Sequence, residues 1–337
     1  MLTKEHIDYR EDDKEIWESE LESWVPQRVY DCHMHMLDNS LIAEGTKYRD
    51  LYPDTDFETV KAWHNLVMPG RETHFLMLGR PATGTDVYGH NTFMHREMQS
   101  DPLSRRNRLT MPSDTPEEIE RDVKERGFIG LKVYRFYSVT GDMKDCRIHE
   151  FLPHEQMEVA SELGLWVTMH LSRAGGGDEE NLRDLEEYTT KRYPGIRWIL
   201  AHCARSFVYW QMEYGIGRLK QMPNIWYDTS AVTDVRPFIT LFREENHRRI
   251  FYGTDGIESV SFHGSYTAFG KTHQMVETDK VPYLHFDHSD YRPVICLYEQ
   301  LLAMKQAAAI AELSRDQIED IFWRNAVQEL GIDWPEG

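Results

Sequence analysis

TPEEIERDVKERGFIGLKVY, residues 115–134, decides the fold. TPEE offers an N-cap threonine, a proline at the first helical position and Glu118 three residues after Thr115, the make-up of a capping box; Gly127 then stops the helix. FIGLKVY follows at once as a short apolar run of strand type. A helix that leads straight into a strand is half of a repeated βα unit, and the same alternation continues downstream. A helix from about Pro153 to Gly164 precedes the strand LWVTMH (165–170), and NLRDLEEYTTKRY (181–193) closes at Pro194-Gly195 before IRWILAH (196–202). FVYWQMEYGIGRLKQM (207–222) leads to NIWYDTS (224–230), and a helix around PFITLFREEN (237–246) leads to RRIFYGTD (248–255). Two helices finish the chain, one over 292–313 and one capped by Ser314 with Gln317 three residues on.

Upstream, QRVYDCHMH (27–35), THFLMLG (73–79) and RLTMP (108–112) read as three more strands, which makes eight, near 28, 74, 108, 129, 166, 197, 225 and 249. The expected fold is α/β, a (β/α)8 TIM barrel, although periodicity alone also admits an open doubly wound sheet. Residues 38–72 and 80–106 exceed simple connections and read as long insertions after strands 1 and 2, serving as lids or subunit contacts. Trp63, His64, His90 and His95 lie in them. No repeat, low-complexity tract or Pro/Ser linker divides the chain, so residues 1–337 are read as one domain with its barrel core at about 27–333.

Composition sets outer bounds. Asp and Glu number 57 against 38 Lys and Arg, a formal charge of −19. So acidic a chain lacks the positive field that holds nucleic acid or an anionic membrane surface. No apolar run approaches a membrane span, and MLTKEHIDYREDDKEIWESE lacks the apolar centre of a signal peptide, so a cytoplasmic protein is expected. The four cysteines, Cys32, Cys146, Cys203 and Cys296, are too scattered for a disulfide framework or a thiolate metal knot.

In a barrel, chemistry sits where strands end. The first strand ends in His33-Met34-His35, two imidazoles on the same side of a strand and able to reach one ion. The fifth ends in His170, the sixth in His202 and the eighth in Asp255. Singly, each has a plain structural explanation: a buried, hydrogen-bonded histidine, or a turn aspartate in GTDG. Their joint position at four strand ends points to a metal site. Cys32 and Cys203 adjoin these histidines but face the other way and read as packing residues.

The ordered set QRVYDCHMH, GLKVY, LWVTMHLSR, WILAHCARS, NIWYDTS, RIFYGTDG and IEDIFWRNAVQELGI resembles the amidohydrolase superfamily, in the branch that contains amino-carboxymuconate-semialdehyde decarboxylase, from about residue 27 to 333. The resemblance implies a (β/α)8 barrel with one zinc held by His33, His35, His170 and Asp255, and with His202 beside the bound water. It also implies a catalytic pair: Asp255 accepts the water's proton and returns it to the leaving group, while His202 steadies the hydroxide or the oxyanion. Zinc lowers the pKa of bound water to about 7. Three nitrogens and one carboxylate suit zinc, with manganese also compatible. Lys132 in GLKVY occupies the place where dinuclear relatives carry a bridging carboxylated lysine; it is a site candidate, not a ligand, if one metal is bound.

Arg80, Arg135, Arg173 and Arg205 follow strands two, four, five and six. Arginine is costly to bring into a pocket unless it meets an anion, so a small anionic substrate is expected. Pairing with acids such as Asp86 or Asp142 is the alternative. Arg173, three residues past His170, is expected to bind substrate, and His263 in SFHGSY could reach the same mouth. The pair His285 and His288 is read as surface or subunit contact. The resulting expectation is a metal-dependent hydrolase that uses a zinc-bound water on an anionic lactone, amide or ester. The alternative is a non-oxidative decarboxylase of a carboxylate substrate, and a homodimer is compatible with both.

Overall fold

The computed structural model describes residues 7–281, 288 and 291–334. His285 lies outside the described residues, so the expected His285/His288 surface does too.

Eight strands form one parallel sheet in sequence order: β1 (Arg28–Met36), β2 (Glu72–Gly79), β3 (Arg105–Leu109), β4 (Gly130–Tyr134), β5 (Trp166–His170), β6 (Arg197–Leu200), β7 (Ile225–Asp228) and β8 (Ile250–Phe251). The sheet curls until its edges meet: the Cys32 amide donates to Tyr252 O (2.8 Å) and the Asp255 amide to His33 O (2.8 Å). This is the (β/α)8 barrel. Closure needs Gly253, since a Cβ there would stand 2.8 Å from the Cβ of His33.

The decisive helix forms over Pro116–Arg126 with both halves of its capping box in place: the Glu118 amide donates to Thr115 Oγ1 (3.2 Å), and the Thr115 amide to the Glu118 carboxylate (2.9 Å). Gly127 ends it at φ 67°. The two long front segments are not pure insertions. Each contains its crossover helix, Phe57–Val67 after β1 and Val87–Glu97 after β2, and only the parts nearest the strand ends rise over the mouth. The eighth strand is also shorter than the run RRIFYGTD suggests, because the Tyr252 amide turns away to Ile321 O (2.9 Å).

A hairpin unforeseen in the sequence reading, β9 (Gly264–Phe269) and β10 (Thr272–Glu277), stands beside the mouth on a two-residue Gly270-Lys271 loop, with Gly270 at φ 59°. At the opposite end, Arg28 sits 5.2 Å over both Trp323 and Trp334, closing the floor of the barrel. All four cysteines are buried and free. Among the described residues no helix is long and apolar enough to cross a membrane.

Candidate active site

β1 reaches the site through an irregularity. Its register with β2 slips between Asp31 and Met34, so that Cys32 and His33 together oppose one residue of the partner strand. Such a bulge re-aims side chains. His33 and His35 end with ring centroids 5.1 Å apart. Behind them Asp31 braces the joint between first and last strands: its carboxylate accepts from the amides of His33 (3.0 Å) and Thr254 (3.1 Å), the Thr254 hydroxyl (2.6 Å) and His64 Nε2 (3.2 Å).

Asp255 lies four residues beyond β8 at φ 78°, with its Oδ1 3.2 Å from His33 Nε2, 3.6 Å from His35 Nε2 and 3.9 Å from His202 Nε2. His33, His35 and Asp255 offer ligand atoms that all lie within 4.8 Å of one another. His170 completes the ring from β5, its centroid 5.0 Å from that of His202.

β6 stops at Leu200, two residues before the histidine the sequence suggested as its end. His202, Cys203, Ala204 and Arg205 then run consecutively left-handed, at φ 59°, 51°, 56° and 57°. Left-handed backbone costs non-glycine residues roughly 1–2 kcal/mol each. The turn is held by the His202 amide on Asp228 Oδ1 (2.9 Å), the Ser206 amide on His202 O (2.8 Å) and the Arg205 guanidinium on Arg173 O. Its effect is to send both His202 and Arg205 into the cavity while Cys203 and Ala204 stay buried. Strain concentrated in this way is typical of functional sites.

The outward nitrogens fix the tautomers. Nδ1 donates to Asp228 from His33 (2.8 Å), to Leu78 O from His35 (3.2 Å), to Leu171 O from His170 (3.0 Å) and to Ser230 O from His202 (3.0 Å). Each Nε2 then presents its lone pair inward, and that of His33 accepts from Lys132 Nζ. A donor set of three such imidazoles and one carboxylate fits a divalent cation held by His33, His35, His170 and Asp255. Burial keeps the imidazoles neutral: His35 is pushed down to about 4, and His33 and His170 well below their usual range. Burial works against the charge on Asp255, but the surrounding histidines outweigh it and hold its carboxyl well below the usual carboxylate range. Lys132, buried on β4, places Nζ 3.0 Å from His33 Nε2, and burial lowers it to about 8.

Of these groups, His35, Lys132, His170, His202 and Asp255 line a cavity of about 310 Å3. Of the expected substrate residues, Arg80, Arg135, Arg205 and Lys132 line it. Two others are placed elsewhere. Arg173 lends its carbonyl to Arg205 and does not line the cavity. His263 is buried at the base of the hairpin, where Nε2 meets Asp13 (2.9 Å), so it does not reach the mouth. The sequence reading missed Asp228, though its place at the end of NIWYDTS was a usable signal. It also missed Tyr52, which lines the cavity from a loop, Tyr134 at the end of β4, and Tyr266 and His273 on the hairpin.

Parallel strands in barrel order, with imidazoles and a carboxylate gathered at their C-terminal ends, define an α/β-barrel enzyme whose site is of the metal-binding type. The model of one family, described as amidohydrolase, matches residues 30–332, and the chain belongs to that family. The family is metal-dependent. No curated protein sequence matches the chain.

Solved structures share the fold at low identity. One, from Acinetobacter baumannii, is described as a probable 2-pyrone-4,6-dicarboxylic acid hydrolase with citric acid bound (TM-score 0.57, 12% identity, 90% of this chain and 99% of that one). Another is a dihydroxybenzoic acid decarboxylase from a Polaromonas species with bound manganese and the inhibitor 2-nitroresorcinol (0.54, 14%, 92% and 98%). A third is 5-carboxyvanillate decarboxylase from Sphingomonas paucimobilis (0.52, 13%, 91% and 100%).

Proposed function

We propose that this amidohydrolase is a hydrolase of small anionic lactones, amides or esters, with one divalent cation, zinc or manganese, at His33, His35, His170 and Asp255. The observation that carries the reading is the convergence of inward Nε2 atoms on Asp255 in a cavity that also holds Arg135 and Arg205. A cation bound there polarises a substrate oxygen and acidifies water. The chain's own groups do the rest. Asp255, ionised across the working pH range, accepts a proton at its carboxylate and passes it on to the leaving group. His202 Nε2, with its tautomer set by Ser230, faces the same centre and accepts a proton or steadies developing negative charge there. The arginines hold the substrate's anionic end, and Tyr134, whose ring lies 4.8 Å from that of His170, walls the cavity beside it.

Decarboxylation without an oxidant is the second reading. It is favoured by the two decarboxylases among the structures that share this fold, and by a donor set that serves either reaction. Mass spectrometry of products from a panel of aromatic carboxylates and carboxylate-bearing lactones tests both. A product heavier by one water supports hydrolysis, and one lighter by carbon dioxide supports decarboxylation. No turnover of any member after loading with zinc or manganese would refute both.

A further inference from the structure

Three arginines line the cavity in two unlike settings: Arg80 is backed by the buried Glu258, whereas Arg135 and Arg205 stand together. Strands β2 and β8 flank β1, and strands β4 and β6 flank β5, so in a closed eight-membered barrel the two groups of strands face each other. On the β1 side Arg80 follows β2 and Glu258 follows β8, and the two form a close ion pair, with Ser259 Oγ 3.2 Å from the same guanidinium nitrogen and the Tyr52 ring 4.0 Å beneath. The Glu258 side chain is 1% exposed, and its second oxygen has no hydrogen-bond partner among the described residues. On the β5 side stand Arg135 and Arg205, and among the described residues no carboxylate lies within ion-pair distance of either. Arg135 spends one guanidinium nitrogen on Met143 O (2.8 Å) and Arg205 one on Arg173 O. Burial and the neighbouring Arg135 lower Arg205 to about 10, as expected of a cation waiting for an anion.

We infer that Glu258 is a specificity-determining positioning residue: by holding and neutralising Arg80 it leaves the Arg135/Arg205 wall as the one place that takes a substrate carboxylate beyond the group presented to the metal. The inference rests on the reading of this cavity as an anion-binding active site and sharpens it. The substrate class becomes one with a single carboxylate away from the reacting group, seated on the β5 side. Arg80 serves instead as a fixed wall, pinned between Glu258 and Tyr52. Lone arginines on both sides would accept an anion at each; one acid changes that count.

The test compares isophthalate with benzene-1,3,5-tricarboxylate, measured by calorimetry on the zinc-loaded enzyme at pH 8, where Glu258 is ionised even though burial pushes it up to about 7. The wild type should bind isophthalate at least as tightly as the tricarboxylate. Glu258→Gln should improve the tricarboxylate at least tenfold relative to isophthalate, and Glu258→Asp should keep the wild-type ratio. A merely structural role would weaken both ligands together and leave the ratio unmoved, which overturns the inference. Should Glu258→Gln fail to fold, the wild type still decides: a tricarboxylate bound tenfold more tightly than isophthalate overturns the inference, and the reverse order supports it. If isophthalate does not bind the wild type at all, the anion-site reading falls and takes the inference with it. Normal isophthalate binding with an unchanged ratio in Glu258→Gln removes Glu258 alone.

Discussion

On the floor of the cavity each imidazole has its outward nitrogen engaged, His33 by Asp228, His35 by Leu78 O, His170 by Leu171 O and His202 by Ser230 O, whereas on the rim Arg135 and Arg205 each show a single acceptor among the described residues. The floor is organised before any ligand arrives, with ring planes and tautomers set by the barrel backbone. The rim keeps donors in reserve. The difference separates two tasks: chemistry needs groups fixed to within a fraction of an ångström, while recognition needs cations whose hydrogen bonds are unfilled until an anion fills them.

Breaking the floor should cost most. Asp255→Asn keeps the shape but removes the carboxylate charge and proton acceptor, and should lower kcat by about 10²- to 10⁴-fold; steady-state kinetics on any turned-over substrate measures it. Asp228→Asn replaces none of the proposed ligands but weakens the hold on His33 Nδ1 and on the His202 amide. It should cost about 10- to 100-fold in metal affinity, read by competition with a chromophoric chelator. If Asp228→Asn binds metal as tightly as the wild type, the floor's orientation does not depend on its outer hydrogen bonds.

The same division explains what could be read in advance. Strand periodicity and punctuation locate the strands, and a residue at a strand end inherits its place from the barrel; hence HMH, His170 and Asp255 could be gathered from sequence alone. The path to His202 was less direct, because a left-handed run over His202–Arg205 has no glycine to announce it. Rim residues sit on loops whose course depends on distant contacts. Nothing local says that Arg173 gives its carbonyl to Arg205, or that His263 is drawn under the hairpin by Asp13. The hairpin itself carried a signal, a glycine-containing two-residue loop, in a stretch between the eighth strand and the closing helices that was read only for His263.

Breaking the rim should act on binding with less effect on the chemical step. Arg205→Met should raise KM by about tenfold or more for an anionic substrate with a smaller change in kcat, because a charge-assisted hydrogen bond is worth about 1.5–3 kcal/mol. Arg173→Ala, behind the cavity wall, should raise KM less than Arg205→Met. The reverse order would show that the cavity rearranges on binding.

The smallest effect, in the metal-free protein, sets floor against rim through proton linkage. His35 on the floor and His90 on the helix after β2 are buried and held down to about 4, below the usual 6.5. Between those values the unfolded chain takes up protons that the folded chain refuses, so their contribution is whole above pH 6.5 and is lost as pH falls toward 4. His33 and His170 are shifted in the same direction. Glu258, buried behind the rim residue Arg80, has the opposite sign. Its carboxyl is raised to about 7 by burial, so the folded chain takes up the proton first and gains stability as pH falls from 7 toward 4.5. From pH 7 to pH 5 His35, His90 and Glu258 each contribute roughly 1–2 kcal/mol. Urea midpoints should therefore fall modestly for the wild type over that interval, and more steeply for Glu258→Gln, which loses the rim's compensation and keeps the floor's cost. Equal slopes for the two proteins would mean that Glu258 keeps its charge throughout, bound to Arg80 more firmly than its burial implies.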